Sequence, residues 1–151
     1  MKIFIGADHR GFLLKKKVIA FLLKKGFDAV DLGAYEKGTS CDYPRIAVKL
    51  GTHVAKHKGS IGIIACMTGI GQSIAVNKIP GIRAALCYNR QAALLSRQHN
   101  DANVLVLGAK FVKAKDIQSV ITTFLNAKFE GGRHLRRVNQ IRKIEKEYCH
   151  R

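Results

Sequence analysis

Short apolar runs alternate with longer amphipathic stretches along the whole chain. Residues 2–7, Ile61 to Ala65, Ile82 to Cys87 and Asn103 to Gly108 are aliphatic or β-branched with little polar alternation, the pattern of strands buried on both faces. Asp28-Ala29-Val30-Asp31-Leu32-Gly33 is shorter and alternates with acids, so this strand is expected nearer a sheet edge. Between the strands lie helical patterns with recognisable ends. One runs from Phe12 to a stop at Gly26, and one starts on Pro44 as first helical residue and reaches about His57. A short one carries Ile70, Ile74 and Ile79 up to Pro80-Gly81; one is capped by Asn89 and ends near Gln98; one spans Val112 to Phe124. Strands alternating with helices at this spacing predict an α/β fold, a Rossmann-like three-layer sandwich on a five-stranded parallel sheet with right-handed crossovers.

The end of the chain departs from this rhythm. Gly131-Gly132 breaks the pattern, and Arg133 to Tyr148 reads as a last helix with Val138, Ile141, Ile144 and Tyr148 along one side. No strand follows to complete a further βαβ unit. Residues 131–151 are therefore predicted to be a C-terminal helical arm packing on a partner subunit, and residues 1–151 are read as one domain.

The stretch from Ser60 to Lys78 is where chemistry is expected. A strand ending at Cys66 runs into a turn with Gly69 and Gly71 and then a helix start, which makes a nest of backbone N–H groups able to hold an anion or a developing oxyanion. Parallel sheets place their ligands at this edge. A cysteine at a strand end is also a common small buried apolar residue. The nest and helix start favour a thiolate here. A phosphatase-type loop needs an arginine six residues on from its cysteine; position 72 is Gln72, and that reading fails. Asp8-His9 follows the first strand at the same edge, and read plainly it is a turn with an exposed histidine. His99-Asn100-Asp101-Ala102 is predicted as a polar loop before the fifth strand, at the opposite edge. Arg133 and Arg137, four apart, share a helix face and suit a phosphate as well as solvent.

Composition narrows the classes. The chain has 151 residues, 47% of them hydrophobic, enough for a core, and no apolar run approaches the ~20 residues that span a bilayer. The apolar start is too short for a signal peptide, and the expectation is a cytoplasmic protein without membrane association. Cys41, Cys66, Cys87 and Cys149 lack metal-type spacing, so no metal site, cofactor or disulfide framework is expected. Twenty-seven Lys and Arg against ten Asp and Glu give +17. The cations are spread over every helix, with no aromatic-interleaved motif, so weak polyanion contact is compatible with them and specific nucleic-acid binding is not predicted.

Taken together, Gly6-Ala7-Asp8-His9-Arg10-Gly11, Asp42-Tyr43-Pro44, Cys66-Met67-Thr68-Gly69-Ile70-Gly71, Asn77-Lys78, Gly81-Ile82-Arg83-Ala84, the run from Ser96 to Leu105 and Glu130-Gly131-Gly132-Arg133-His134 with Arg137 closely resemble the ribose-5-phosphate isomerase B family, which includes galactose-6-phosphate isomerase subunits. The match covers nearly the whole chain in order. It implies a homodimer, or a dimer of dimers, that isomerises a phosphorylated sugar at sites shared between subunits. Cys66, His99, Thr68 and Asp8 would form the catalytic set, with Cys66 the base that moves a proton through an enediolate and His99 of the other subunit the proton donor for ring opening. Asp8 and His9 would contact the sugar and its phosphate end, and the N–H groups of Met67, Thr68, Gly69, Ile70 and Gly71 would hold the enediolate oxygens. Asn100 would touch the sugar; Lys110, Arg133 and Arg137 would complete substrate binding.

The sequence departs from the family pattern twice. Met67 replaces a usual glycine, and Lys110 replaces an arginine found in many members, which keeps the charge but loses the bidentate fork. The resemblance implies ribose 5-phosphate and ribulose 5-phosphate of the pentose phosphate pathway as substrate and product. A six-carbon sugar phosphate such as allose or galactose 6-phosphate, or a phosphosugar- or polyanion-binding protein without catalysis, are the alternatives.

Overall fold

In the computed structural model, residues 1–36, 38 and 40–148 are described. Lys37 and Thr39 of the loop before Asp42, and Cys149 to Arg151 of the arm, lie outside the described residues. Five strands, β1 (Lys2–Ala7), β2 (Asp28–Asp31), β3 (Ile61–Cys66), β4 (Ala84–Leu86) and β5 (Val104–Gly108), form one parallel sheet in the order β2-β1-β3-β5-β4. Five helices cover it, α1 (Phe12–Lys24), α2 (Tyr43–Lys56), α3 (Ile70–Val76), α4 (Arg90–Asn100) and α5 (Ile117–Asn126), and α6 (Gly132–Tyr148) packs on α4. The α/β three-layer architecture is the one the periodicity predicts, and the polar second strand does take an edge.

Alternate residues of the central strands feed two separate cores. Ile3, Ile5, Ile61, Ile63, Leu105 and Leu107 pack with Leu14, Val18 and Leu22 of α1 and Val120, Ile121 and Phe124 of α5. Phe4, Ile64 and Val106 point to the other face and meet Ala47, Leu50 and Val54 of α2 and Val76 of α3. This is why the strands read as unbroken apolar runs: a residue pointing either way is buried. The Lys15 ammonium is buried under α1, where both carboxylate oxygens of Asp31 hold it at 2.7 Å and the Ala34 carbonyl accepts a further bond. It ties α1 to the end of β2 and to the segment that leads on to α2.

Several boundaries differ from the sequence reading, each for a local reason. The short helix α3 ends at Val76 rather than at Pro80-Gly81, because Asn77 leaves the helix to pair with an edge strand. Its side-chain amide donates to the Ala84 carbonyl at 3.0 Å and accepts the Ala84 N–H at 2.8 Å. β4 is correspondingly only three residues long. His99 and Asn100 are the last turn of α4, not a loop, and Asp101 closes the helix in a left-handed conformation (φ 47°). Arg83 and Arg97 both bind the Asp101 carboxylate, at 2.7 and 3.2 Å, which holds the chain in that turn. The predicted helix from Val112 begins instead with a 3-10 turn, Ala114–Asp116, before α5. On α6, Val138 is buried, whereas Ile141, Ile144 and Tyr148 of the predicted stripe are exposed on this chain.

Cys87, at the end of β4, is buried against Ser96, and burial raises its thiol pKa from 9.0 to about 11, partly opposed by the Ser96 hydroxyl. The unfolded thiol ionises from pH 9.0 upward while the folded one stays neutral, so this group's contribution to stability is lost between pH 9.0 and about 11. Two pH units correspond to about 2–3 kcal/mol. Urea denaturation from pH 8 to 11 should show a shallower alkaline loss for Cys87→Ala than for the natural chain.

Candidate active site at the carboxyl edge of the sheet

The ends of β1, β3 and β5 lie side by side, since Ala7 registers with Ala65 and Cys66 with Gly108. Asp8, Cys66 and the Ala109-Lys110 turn therefore meet at one edge. The turns are lashed together by backbone bonds: Ala109 N–H donates to the Cys66 carbonyl at 2.8 Å and Lys110 N–H to that of Met67 at 2.9 Å. That packing is backbone against backbone. A Cβ on Gly108 would overlap the Thr68 carbonyl, and Gly69, with φ 85°, has no room for one beside Leu86.

Cys66 is buried at the floor of this edge, and its Sγ accepts the Gly69 N–H at 3.0 Å. An N–H aimed at sulfur stabilises an anionic form more than a neutral one. The Ile70 N–H turns to the Thr68 hydroxyl at 3.3 Å. Two of the five predicted nest donors are thus engaged within the chain, one of them by the thiol itself. Asp8 is also buried, and its Oδ1 accepts the Gly11 N–H at 2.8 Å, which shapes the turn into α1 and leaves Oδ2 for a ligand. His9 accepts the Cys41 N–H on Nδ1 at 3.4 Å, so its proton sits on Nε2. Asp8, His9, Cys66, Met67, Thr68, Gly69, Ile70, Gly71 and Lys110 all belong to this edge.

His99, Asn100, Arg133 and Arg137 do not. α4 starts beyond β4 at the carboxyl edge, and its 11 residues run back about 15 Å toward the amino end of β5. His99 and Asn100 ride on its last turn. The start of α6 packs there: the Glu130 N–H donates to the Gln98 carbonyl at 3.0 Å, and the His134 ring stacks on His99 with centroids 4.2 Å apart. The predicted residues thus form two groups on opposite edges of one chain. His134 is 5% exposed, and its imidazole pKa is lowered below the ordinary value first by loss of solvent, then by its cationic neighbours His99, Arg133 and Arg137, with Glu130 opposing.

His99, Glu130 and His134 are the one group of metal-type donors among the described residues, with ligand atoms within 4.8 Å of one another. Their geometry suits an ion-pair cluster better than a coordination sphere. The rings lie 4° from parallel, so their in-plane lone pairs run side by side and do not converge on one ion, and Arg133 Nε reaches His134 Nε2 at 3.5 Å.

Two residues of the carboxyl edge escaped sequence reasoning. The Tyr43 ring lies against Gly71 and forms a wall of the nest; its signal was the Asp42-Tyr43-Pro44 motif at the start of α2. Gln72 is fully buried in the first turn of α3, and neither amide atom has a hydrogen-bond partner among the described residues. Nothing in the local pattern marked it, because a lone Gln at a helix start reads as solvated.

The glycines give a graded test. At Gly71 a Cβ would come within 2.7 Å of the Tyr43 ring, a half-exposed side chain that can swing aside. At Gly108 the obstacle is backbone. Gly108→Ala should destabilise the chain by about 2–4 kcal/mol and remove activity, whereas Gly71→Ala should cost about 1 kcal/mol or less. Thermal unfolding together with steady-state rates would compare them.

Comparison with known proteins places these features in a lineage. A model of the family described as Ribose/Galactose Isomerase matches residues 3–141. Ribose-5-phosphate isomerase B of Escherichia coli K12 is 42% identical over 144 residues, covering 95% of this chain and 96% of that protein. A solved ribose-5-phosphate isomerase B of Clostridium thermocellum superposes with a TM-score of 0.95 at 46% identity, over 98% of this chain and 99% of that one. That of Mycoplasma genitalium, solved with bound ribulose-5-phosphate, superposes with a TM-score of 0.93 at 42% identity, covering 97% of each. With matches of this extent, the chain belongs to the ribose/galactose isomerase family.

Proposed function

We propose that this protein is an aldose–ketose isomerase interconverting ribose 5-phosphate and ribulose 5-phosphate, at a site completed by a second copy of the chain. The observation that carries this reading is the placement of a thiol, an N–H directed at its sulfur and a half-free carboxylate around the ends of three central strands. The ribulose-5-phosphate bound to the Mycoplasma genitalium relative supports the five-carbon substrate. A cytoplasmic location is part of this proposal. Among the described residues no helix is long and apolar enough to cross a membrane.

The chemistry begins with ring opening. As the C1–O4 bond breaks, O4 takes the proton of His99 and the C1 hydroxyl gives its proton to Oδ2 of Asp8, leaving an aldehyde. Cys66 as thiolate then removes the C2 proton. The electrons of the C–H bond become the C1–C2 double bond, and those of the carbonyl become an oxyanion on O1, facing the nest. Return of the proton to C1, with transfer of the O2 hydroxyl proton to O1, completes the ketose. Arg133 and Arg137, one turn apart on α6, hold the phosphate, and Asn100 and His9 orient the sugar. No step calls for a metal ion.

A second copy is needed because one chain separates the proton donor from the base. The exposed apolar side chains are where such a copy would lie: Ile141, Ile144 and Tyr148 on α6, and Ile70 and Ile74 on α3. A homodimer that buries them would bring His99, Arg133 and Arg137 of one subunit to the Cys66 edge of the other.

Turnover of ribose 5-phosphate without added metal, compared with allose and galactose 6-phosphates, tests the reaction. Cys66→Ala should lower kcat by about 10²–10⁴-fold while the protein stays folded and binds phosphate. Near-normal turnover in that variant would exclude Cys66 as the base, and a preference for a hexose phosphate would move the assignment to the six-carbon branch.

The shared site has its own test. Mixing impaired Cys66→Ala and His99→Ala homodimers under subunit exchange should recover part of the activity, because a mixed dimer has one intact site and one doubly damaged one. Exchange without recovery would put both residues in one subunit's site.

A further inference from the structure

His99, read above as the proton donor, packs against the start of α6, the helix that also carries Arg133 and Arg137. One carboxylate stands in the cluster. Glu130 Oε2 lies 3.9 Å from His99 Nε2 and 3.6 Å from His134 Nε2. Its backbone is fixed to α4, since its N–H donates to the Gln98 carbonyl at 3.0 Å, one residue before His99. The buried His134 ring, stacked 4° from parallel on His99 with centroids 4.2 Å apart, covers one face of it.

We propose that Glu130 is the positioning residue of His99: its carboxylate is the counter-charge for the protonated ring, and the stacked His134 is the plate that fixes the ring's plane. The role rests on the reading of His99 as the proton donor for ring opening, and deepens it. Glu130 itself does not touch the sugar. It and His134 make His99 present its proton in one orientation while Arg133 and Arg137 keep their charge for the phosphate. Sequence reasoning saw the Glu130-to-Arg137 segment only as an arginine clamp. The stack shows that the same segment also addresses α4.

The test is a double-mutant cycle on the intact dimer with ribose 5-phosphate. Glu130 is 47% exposed on this chain, so Glu130→Gln keeps shape and fold while removing the charge. It should lower kcat about 10–100-fold with KM changed less than about threefold, because the phosphate clamp is untouched. Glu130→Asp, which restores the charge on a shorter arm, should recover part of the loss. In a His99→Ala background, Glu130→Gln should have no further effect, whereas a purely structural role would lower activity again by the same factor. An unchanged kcat in Glu130→Gln, or a loss that adds in full to that of His99→Ala, overturns the proposal. If His99→Ala alone left kcat unchanged, the proton-donor reading would fall first, independently of anything measured at Glu130.

Discussion

Chain direction in a parallel sheet governs the rest of this molecule. Every strand points the same way, so every strand ends at one edge and every helix must carry the chain back to the other. Cys66, Asp8 and the Ala109-Lys110 turn are gathered because they follow β3, β1 and β5. His99 is carried away because it lies at the far end of α4. No side-chain rearrangement within one chain brings it back over the length of that helix. If His99 is the proton donor and Cys66 the base, as proposed, they can serve one substrate only when two copies face each other with opposite edges together.

At the edge where the strands end, main chain packs against main chain. Gly108 and Gly69 let the turns after β3 and β5 close to van der Waals contact, and the Gly69 N–H is then delivered to the Cys66 sulfur. A side chain at either position would separate the turns and withdraw that donor. Met67, the residue that departs from the family's glycine, stands outside this contact: its side chain is exposed and its carbonyl accepts the Lys110 N–H. The substitution therefore leaves the backbone cradle in place. Lys110 likewise contributes its backbone N–H to the cradle whatever its side chain, so exchanging an arginine for a lysine there alters the charge geometry above the site and not its floor.

The sequence made the sheet legible because burial on both faces writes itself as unbroken apolar runs, and the thiol legible because a strand, two glycines and a helix start follow one another without interruption. Features decided by distant contacts were not legible. Asn77 reads as a helix residue and serves as a surrogate strand partner for Ala84. Asp101 reads as loop and is a left-handed helix stop, braced by two arginines, one of them 18 residues away in sequence. Tyr43 is remote in the chain from Gly71, against which its ring lies. The pairing of His99 with Glu130 and His134 depends on how α6 docks on α4, and no periodicity within either helix contains that information.

The excess of positive charge is easier to understand once the carboxylates are placed. Several of the ten acids are committed to structure: Asp31 to Lys15, Asp101 to Arg83 and Arg97, Asp8 to the Gly11 N–H, and Glu145 to the Gly81 N–H. Glu130 is spent on the histidine pair. The cations these acids leave unbalanced cover the surface and both halves of the proposed site, with Lys110 on one edge and Arg133 and Arg137 on the other. A substrate carrying a doubly charged phosphate enters a field that is attractive from every direction, which raises its encounter rate at low salt. The same field would hold any phosphate without discrimination. Selectivity must therefore come from the short-range geometry around Cys66 and Asp8, where the chain has spent its glycines, and not from charge.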